Sequence, residues 1–135
     1  MSLTTGLAGI NLLAVLLAGL AHMVICLVWF APGLFGRAWV QLTGAEMKPA
    51  VRWIPAGIVG HMAVALALAV IVNLTGATTV LGGLYVAVLA WLGFVVTLEV
   101  GELLWEKIPF RLFAIRVANH LVAMGVAGII LAVMR

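Results

Sequence analysis

Charged residues are scarce in this sequence, and aspartate is missing altogether. Seven Lys and Arg and four Glu are the only charged side chains among 135 residues. They make up 8% of the chain while 67% is apolar, against roughly 25% and 45–50% in a soluble domain. Such a chain cannot cover a water-facing surface, which excludes soluble enzyme folds, disordered chains and nucleic-acid-binding arms. The composition predicts one small domain in a lipid bilayer, with no nucleic-acid partner.

Cysteine, strand patterns and sorting signals are also rare or missing. Cys26 is the single cysteine, so no internal disulfide can form. No segment alternates apolar and polar residues as a membrane β-strand does. The N-terminus lacks the basic segment of a signal peptide, and no prenylation or myristoylation motif is present. We therefore expect the N-terminal apolar run to be retained as a membrane span.

Four apolar stretches are long enough to cross a hydrocarbon core of about 30 Å as helices. They cover approximately residues 6–30, 55–74, 80–98 and 113–134. Residues 36–53 mix charges with Trp39, Leu42 and Trp53, which is typical of a segment lying in the membrane interface. The predicted fold is all-α: residues 1–135 form a single transmembrane domain, an integral membrane four-helix bundle.

The distribution of basic residues predicts the orientation in the membrane. Six of the seven lie between spans one and two or at the entry of span four: Arg37, Lys48, Arg52, Lys107, Arg111 and Arg116. By the positive-inside rule, both of these loops face the cytoplasm of a bacterial-type cell and both termini face outward. An aromatic belt is predicted around the same loops, formed by Trp29, Phe30, Phe35, Trp39, Trp53, Trp105 and Phe110.

Two patterns bear on duplication and assembly. Arg52 precedes His61 by nine residues and Arg111 precedes His120 by nine, which would suit two related helical hairpins, although other identities are few. Small residues recur four apart on all four spans and allow close helix packing. The pairs are Ala14 and Ala18, Ala63 and Ala67, Gly83 and Ala87, and Ala123 and Ala127. More small faces than one bundle needs favour a homo-oligomer.

One motif resembles a known family. The segment Trp29–Trp39 contains Trp29, Pro32, Phe35, Gly36 and Trp39. Their spacing resembles the signature Trp-Tyr-x-Pro-x-x-Phe-Gly-x-x-Trp of a bacterial four-span membrane family, the domain of unknown function numbered seventeen sixty-one. The segment Trp105–Phe113 and the later His120 resemble the family's entry into its last span. Phe30 replaces the usual tyrosine, and Arg116 stands where the family has asparagine. The resemblance implies this topology and supplies no activity.

Polar side chains within the spans are the candidate functional residues, because ionisable groups in a bilayer are costly. His22, His61 and His120 each lie about 8–11 Å below the face of the basic loops, at about 1.5 Å per helical residue. They are predicted to form one polar layer together with Asn11 and Asn119. Three interpretations stay open: structural hydrogen bonding, a polar cavity for protons or a small substrate, and a metal or haem site.

A metal site would draw on histidine, thiol and thioether groups. Cys26 follows His22 by four residues and Met124 follows His120 by four, so each pair shares a helix face. Imidazole with sulfur ligands suits copper(I) or zinc, and two facing imidazoles suit haem b. The candidate ligands are His22, Cys26, His61, His120 and Met124.

An acidic face is predicted where the third span leaves the membrane. Glu99, Glu102 and Glu106 follow one another at positions i, i+3 and i+7 of a helix. Arg111 and Arg116 are their expected partners across the hairpin, either in a structural ion-pair cluster or at a mouth for cations or protons.

Three functions fit these residues. The first is a small transporter or channel-like protein for a small substrate, a proton or an ion, with its polar layer at the histidines and its mouth at Glu99 and Glu102. The second is a membrane-embedded metal- or haem-binding protein, and the third is a non-catalytic oligomeric scaffold or accessory subunit. The ligand itself is not identified. The sequence shows no nucleophile and base pair, so an enzyme is not expected. Drug export is disfavoured because the first span lacks a carboxylate.

Overall fold

Four long helices packed as a bundle make up the protein. The structure is a computed structural model that describes residues 3–48 and 51–135. Pro49 and Ala50, which belong to the predicted interfacial segment, lie outside the described residues. Four helical segments of the described part are long and apolar enough to cross a membrane: Leu12–Trp29, Val51–Thr75, Val80–Glu106 and Phe110–Val133. The fold is all-α, as predicted.

The helices are numbered α1 to α7 in chain order. They are α1 Leu3–Leu7, α2 Leu12–Trp29, α3 Gly36–Thr43, α4 Ile54–Thr75, α5 Val80–Ala90, α6 Thr97–Gly101 and α7 Phe110–Val133. A 3₁₀ turn, Val51–Trp53, leads directly into α4. The third span is α5 and α6 joined by a π-helical turn, Trp91–Val96, and extended by a second one, Glu102–Glu106.

Two span boundaries differ from the sequence expectation. The first span begins at Leu12, because Gly9 has a positive φ of 79° and the Asn11 side chain accepts hydrogen bonds from Leu13 N and Ala14 N. A short, separate helix therefore precedes it. The third span continues to Glu106 rather than ending near Leu98, and Lys107, at a φ of 55°, ends it.

Helix α7 is the centre of the bundle and packs against α2, α4 and α5. Small residues make these contacts close, since Ala18, Ala65, Ala123 and Ala127 are fully buried. Between α5 and α7, Gly83 and Gly128 approach so closely that a Cβ on either would overlap the backbone carbonyl of the other. The predicted pair Ala63 and Ala67 is exposed instead, because α4 turns Ala65, Leu68, Ala69 and Val72 inward.

An apolar plug fills the half of the bundle that lies away from the basic loops. We define it by Ala18 of α2, Leu68 and Val72 of α4, and Ala127 and Leu131 of α7, all buried in one cluster. Leu68 and Val72 are the largest fully buried side chains of the described residues. The plug separates the polar residues described below from the turns at the other end.

Candidate functional site

The three histidines meet in one layer of the bundle. His22 of α2 is 2% exposed, and its Nδ1 lies 2.8 Å from Nδ1 of His61 on α4. At this distance one ring donates Nδ1–H and the other accepts it. The ring centres of His22 and His120, which lies on α7, are 6.4 Å apart. Trp91, large enough to separate them, instead donates its Nε1–H to the Val117 carbonyl at 2.8 Å.

Cys26 and Asn119 extend this layer toward the basic loops. Cys26 lies one turn after His22 on α2, and its Sγ is 3.9 Å from His22 Nδ1. Asn119, which is 2% exposed on α7, donates Nδ2–H to the same sulfur at 3.4 Å. One ligand atom each from His22, Cys26 and His61 lies within 4.8 Å of the others. The site thus gathers nitrogen and sulfur lone pairs from two helices.

Two buried polar atoms in the layer have no hydrogen-bond partner within the described part of the chain. They are His22 Nε2 and Asn119 Oδ1. Buried polar atoms are rarely left unpaired, because each unmade hydrogen bond costs about 1–3 kcal/mol. Their side chains both contact Cys26. The layer therefore has unused capacity to hold a polar ligand.

A cavity of about 790 Å³ opens onto the layer, and we call it the histidine cavity. Its polar wall comes from the spans, and its outer wall comes from the turn after α2, from α3 and from the loop at residues 46–48. The lining residues from the spans are Cys26, Leu27, His61, Arg116, Asn119 and His120, and the outer ones are Phe30, Ala31, Pro32, Trp39, Glu46, Met47 and Lys48. The cavity is thus reached from the side of the basic loops.

The signature segment after α2 folds into the turn that shapes this outer wall. Trp29 donates Nε1–H to the Ile115 carbonyl of α7 at 3.1 Å and stacks on Phe35 with ring centres 4.7 Å apart. Gly36 N–H is bonded to Ala31 O at 3.1 Å. Phe30 packs against Trp39 of α3, with ring centres 5.6 Å apart. The contacts of the motif residues therefore hold α3 over the cavity.

Arg116, which lines the cavity, is paired with the acidic face of the third span. Its Nη1 lies 2.6 Å from Glu102 Oε2, and its Nε lies 3.2 Å from Glu99 Oε2. The Glu99 side chain is only 11% exposed. Arg111, the other predicted partner, is exposed and forms no ion pair with the described residues. Glu106 is also exposed and forms none with them either. Two carboxylates therefore neutralise the arginine charge beside the cavity.

Reversing the charge of Arg116 is expected to destabilise the protein. Arg116→Glu would leave Glu99 and Glu102 facing a third carboxylate in a half-buried site, and we expect a loss of about 1–3 kcal/mol in the free energy of unfolding. Arg116→Glu with Glu102→Arg should recover part of it. Thermal unfolding in detergent measures both, with Arg111→Glu as the matched control on the same helix. A double variant no more stable than the worse single variant would contradict the pairing.

Two predicted members of the site lie elsewhere. Asn11 is not in the polar layer: it caps α2 and donates Nδ2–H to the Met134 carbonyl at 2.8 Å. Eleven residues separate it from His22, which is about 16 Å along a helix. Met124 is 7% exposed and packs in the apolar core. Its spacing from His120 places both on one helix, but a thioether is also an ordinary packing group.

A haem does not fit between His22 and His61. Two axial imidazoles lie on opposite faces of a porphyrin, so the macrocycle must pass between their nitrogen atoms. The Nδ1 atoms of His22 and His61 are 2.8 Å apart and in hydrogen-bond contact. The same donor set does suit a single metal ion, which binds nitrogen and sulfur atoms gathered on one side.

Fold and site together define a membrane protein with four helices long and apolar enough to span a bilayer, and with a cavity in one half that reaches the histidine layer. The chain belongs to the family described as "Protein of unknown function (DUF1761)", whose model matches residues 13–132. Comparisons with curated proteins and with solved structures give no match. The family description names no activity, so function has to be argued from the cavity.

Proposed function

We propose that this protein is a small transporter-like protein that admits a small cation from the side of the basic loops to its histidine layer and passes it across the membrane. The observation that carries the proposal is the one-sided cavity. It ends at His61 and His120, next to buried His22. Beyond the histidines, the apolar plug closes the bundle. A binding layer that is open to one side and closed to the other is the arrangement that alternating access requires.

The charges around the cavity favour a cation over an anion. Arg116 is already neutralised by Glu99 and Glu102. Lys48 and Glu46 both line the outer wall and offset one another. At the inner end the available groups are imidazole and thiol, which are lone-pair donors. An anion would find no unpaired arginine there, whereas a proton or a metal ion would find bases.

The third span offers an element that could change shape during transport. It contains two π-helical turns, Trp91–Val96 and Glu102–Glu106. π-Helical turns are rare and occur frequently at functional sites. The second turn carries Glu102, which is bonded to Arg116 at the cavity wall. A change of register in this span would therefore move the carboxylate that is paired with Arg116, and Arg116 lines the cavity.

Reconstituted vesicles test the proposal. We expect purified protein to conduct protons, reported by a trapped pH-sensitive dye, or Zn²⁺, reported by a trapped chelating dye, faster than protein-free vesicles. His61→Gln should reduce this flux at least about tenfold, because it removes a base from the inner end of the cavity. Leu66→Ala is the matched control on α4, since Leu66 is 43% exposed and faces away from the cavity.

Cys26 provides an independent measure of access in the same vesicles. It is the only cysteine and lines the cavity, so a membrane-impermeant maleimide should label it from the side of the basic loops alone. Equal labelling from both sides, or flux that His61→Gln leaves unchanged, would overturn the proposal. The predicted orientation, with the basic loops in the cytoplasm, is tested by the same labelling in cells.

A further inference from the structure

The ligand atoms at the inner end of the cavity have nearly the spacing of a metal coordination sphere. In a tetrahedral zinc site, bond lengths of about 2.0–2.1 Å to nitrogen and 2.3 Å to sulfur place neighbouring ligand atoms about 3.3–3.6 Å apart. Here His22 Nδ1 is 2.8 Å from His61 Nδ1 and 3.9 Å from Cys26 Sγ. Both separations are within well under 1 Å of the coordinated ones. The third pair, His61 and Cys26, lies within 4.8 Å and would have to draw closer when a metal binds.

We propose that His22, Cys26 and His61 bind one d¹⁰ metal cation, Zn²⁺ or Cu⁺, at the inner end of the histidine cavity. This names the ligand of the cavity and rests on the proposed function for its role in transport, although binding itself requires no flux. Two imidazoles and a thiolate are preferred by borderline and soft cations over Mg²⁺ or Ca²⁺, which take oxygen ligands. His120, which lines the cavity, lies on the open side for a fourth position.

Metal binding releases the thiol proton of Cys26 and rearranges the proton that the two histidines share. The Cys26 thiol gives up its proton to water through the cavity and forms the metal–sulfur bond. The proton shared between His22 Nδ1 and His61 Nδ1 moves to Nε2 of the ring that carried it, so that both Nδ1 lone pairs face the metal. No oxidant or reductant takes part.

The surrounding residues supply the outer shell that such a site needs. Metal-bound histidines donate their second ring N–H to a neighbouring acceptor. His22 Nε2 and Asn119 Oδ1 are the two buried atoms in this layer without partners among the described residues, and His22 Nε2 becomes a donor once its Nδ1 lone pair faces the metal. Asn119 Nδ2 also donates to Cys26 Sγ, which stabilises a thiolate.

The site is tested on the full chain, purified in detergent without a histidine tag and stripped with a chelator. We expect one equivalent of Zn²⁺, or of Cu⁺ under reducing conditions, to slow maleimide labelling of Cys26 at least about tenfold. Co²⁺ should give thiolate-to-metal absorption in the wild type and none in Cys26→Ser. His61→Gln should weaken Zn²⁺ binding by more than about 100-fold, above the loss typical of an outer-shell residue.

The control is Thr78→Cys in the Cys26→Ser background, whose cysteine lies in the exposed turn at the other end of the bundle. Its labelling should not respond to either metal. Protection of Cys26 by one of the two ions identifies which ion the site takes. Absence of protection by both, or Co²⁺–thiolate absorption that persists without Cys26, would overturn the site. Metal binding without vesicle flux would leave the site standing and refute transport, whereas proton flux without metal binding would do the reverse.

Discussion

Replacing Gly128 by alanine is expected to push α5 away from α7 and to lower the stability of the whole bundle. The added Cβ would lie 2.6 Å from the Gly83 carbonyl oxygen and 2.8 Å from Ala87 Cβ. Neither atom can rotate away, because one is backbone and the other is fixed to it. We expect a loss of about 1–3 kcal/mol in the free energy of unfolding, the usual cost of overpacking. Thermal unfolding in detergent measures it.

Gly125, one turn earlier on α7, provides the matched control. A Cβ there would meet only the end of the Leu84 side chain, at 3.3 Å, and a leucine can move. Both substitutions bring the same gain in helix propensity, about 1 kcal/mol. The difference between the two variants therefore isolates the helix contact. Equal stability of Gly125→Ala and Gly128→Ala would contradict the close approach of α5 and α7.

The bundle itself could be predicted from the sequence, because the bilayer imposes a length and a composition on each span. Four apolar stretches gave four long helices in the structure. The boundaries were harder to predict, since they depend on local backbone features. Asn11 caps α2 inside what reads as a continuous apolar run. Glu102 and Glu106 extend the third span beyond its apolar part. Hydropathy averages over both features.

The meeting of the histidines could be anticipated by depth, but their partners could not. Equal depth on three helices allows contact, while the rotation of each helix decides which faces meet. Helical spacing correctly placed Cys26 beside His22, since both lie on α2. It also suggested Met124 for the site, but Met124, one turn further along α7 than His120, packs in the apolar core.

The outer wall of the cavity was not predicted at all. Phe30, Trp39 and Lys48 line it. From the sequence, the two aromatic residues are expected in an interfacial belt, and Lys48 bears only on the orientation of the loop. Aromatic and basic residues at these positions are typical of the membrane interface. The fold of the turn after α2, which the sequence does not predict, is what brings the two aromatic residues to the mouth of the cavity. The available signal was the signature motif itself, whose spacing of aromatics, proline and glycine specifies a compact turn.

Gly36 is the residue of that motif with the least freedom to change. A Cβ there would overlap the Phe30 carbonyl oxygen and lie 2.8 Å from that of Ala31. The substitution Gly36→Ala should therefore open the turn and displace α3, since backbone atoms on both sides cannot yield. We expect a loss of stability of about 1–3 kcal/mol. We also expect Cys26 to react with maleimide several times faster, because α3 carries Trp39 over the cavity.

Gly33 separates this effect from a general intolerance of the loop to substitution. It lies three residues earlier in the same turn, and a Cβ at that position would meet nothing within 4 Å. Gly33→Ala should keep both the stability and the labelling rate of the wild type. If Gly36→Ala behaves like Gly33→Ala, the turn does not hold α3 in place. If instead Gly36→Ala unfolds the protein, the labelling rate is read from Trp39→Ala, which removes the same wall of the cavity and adds no atom to the backbone of the turn.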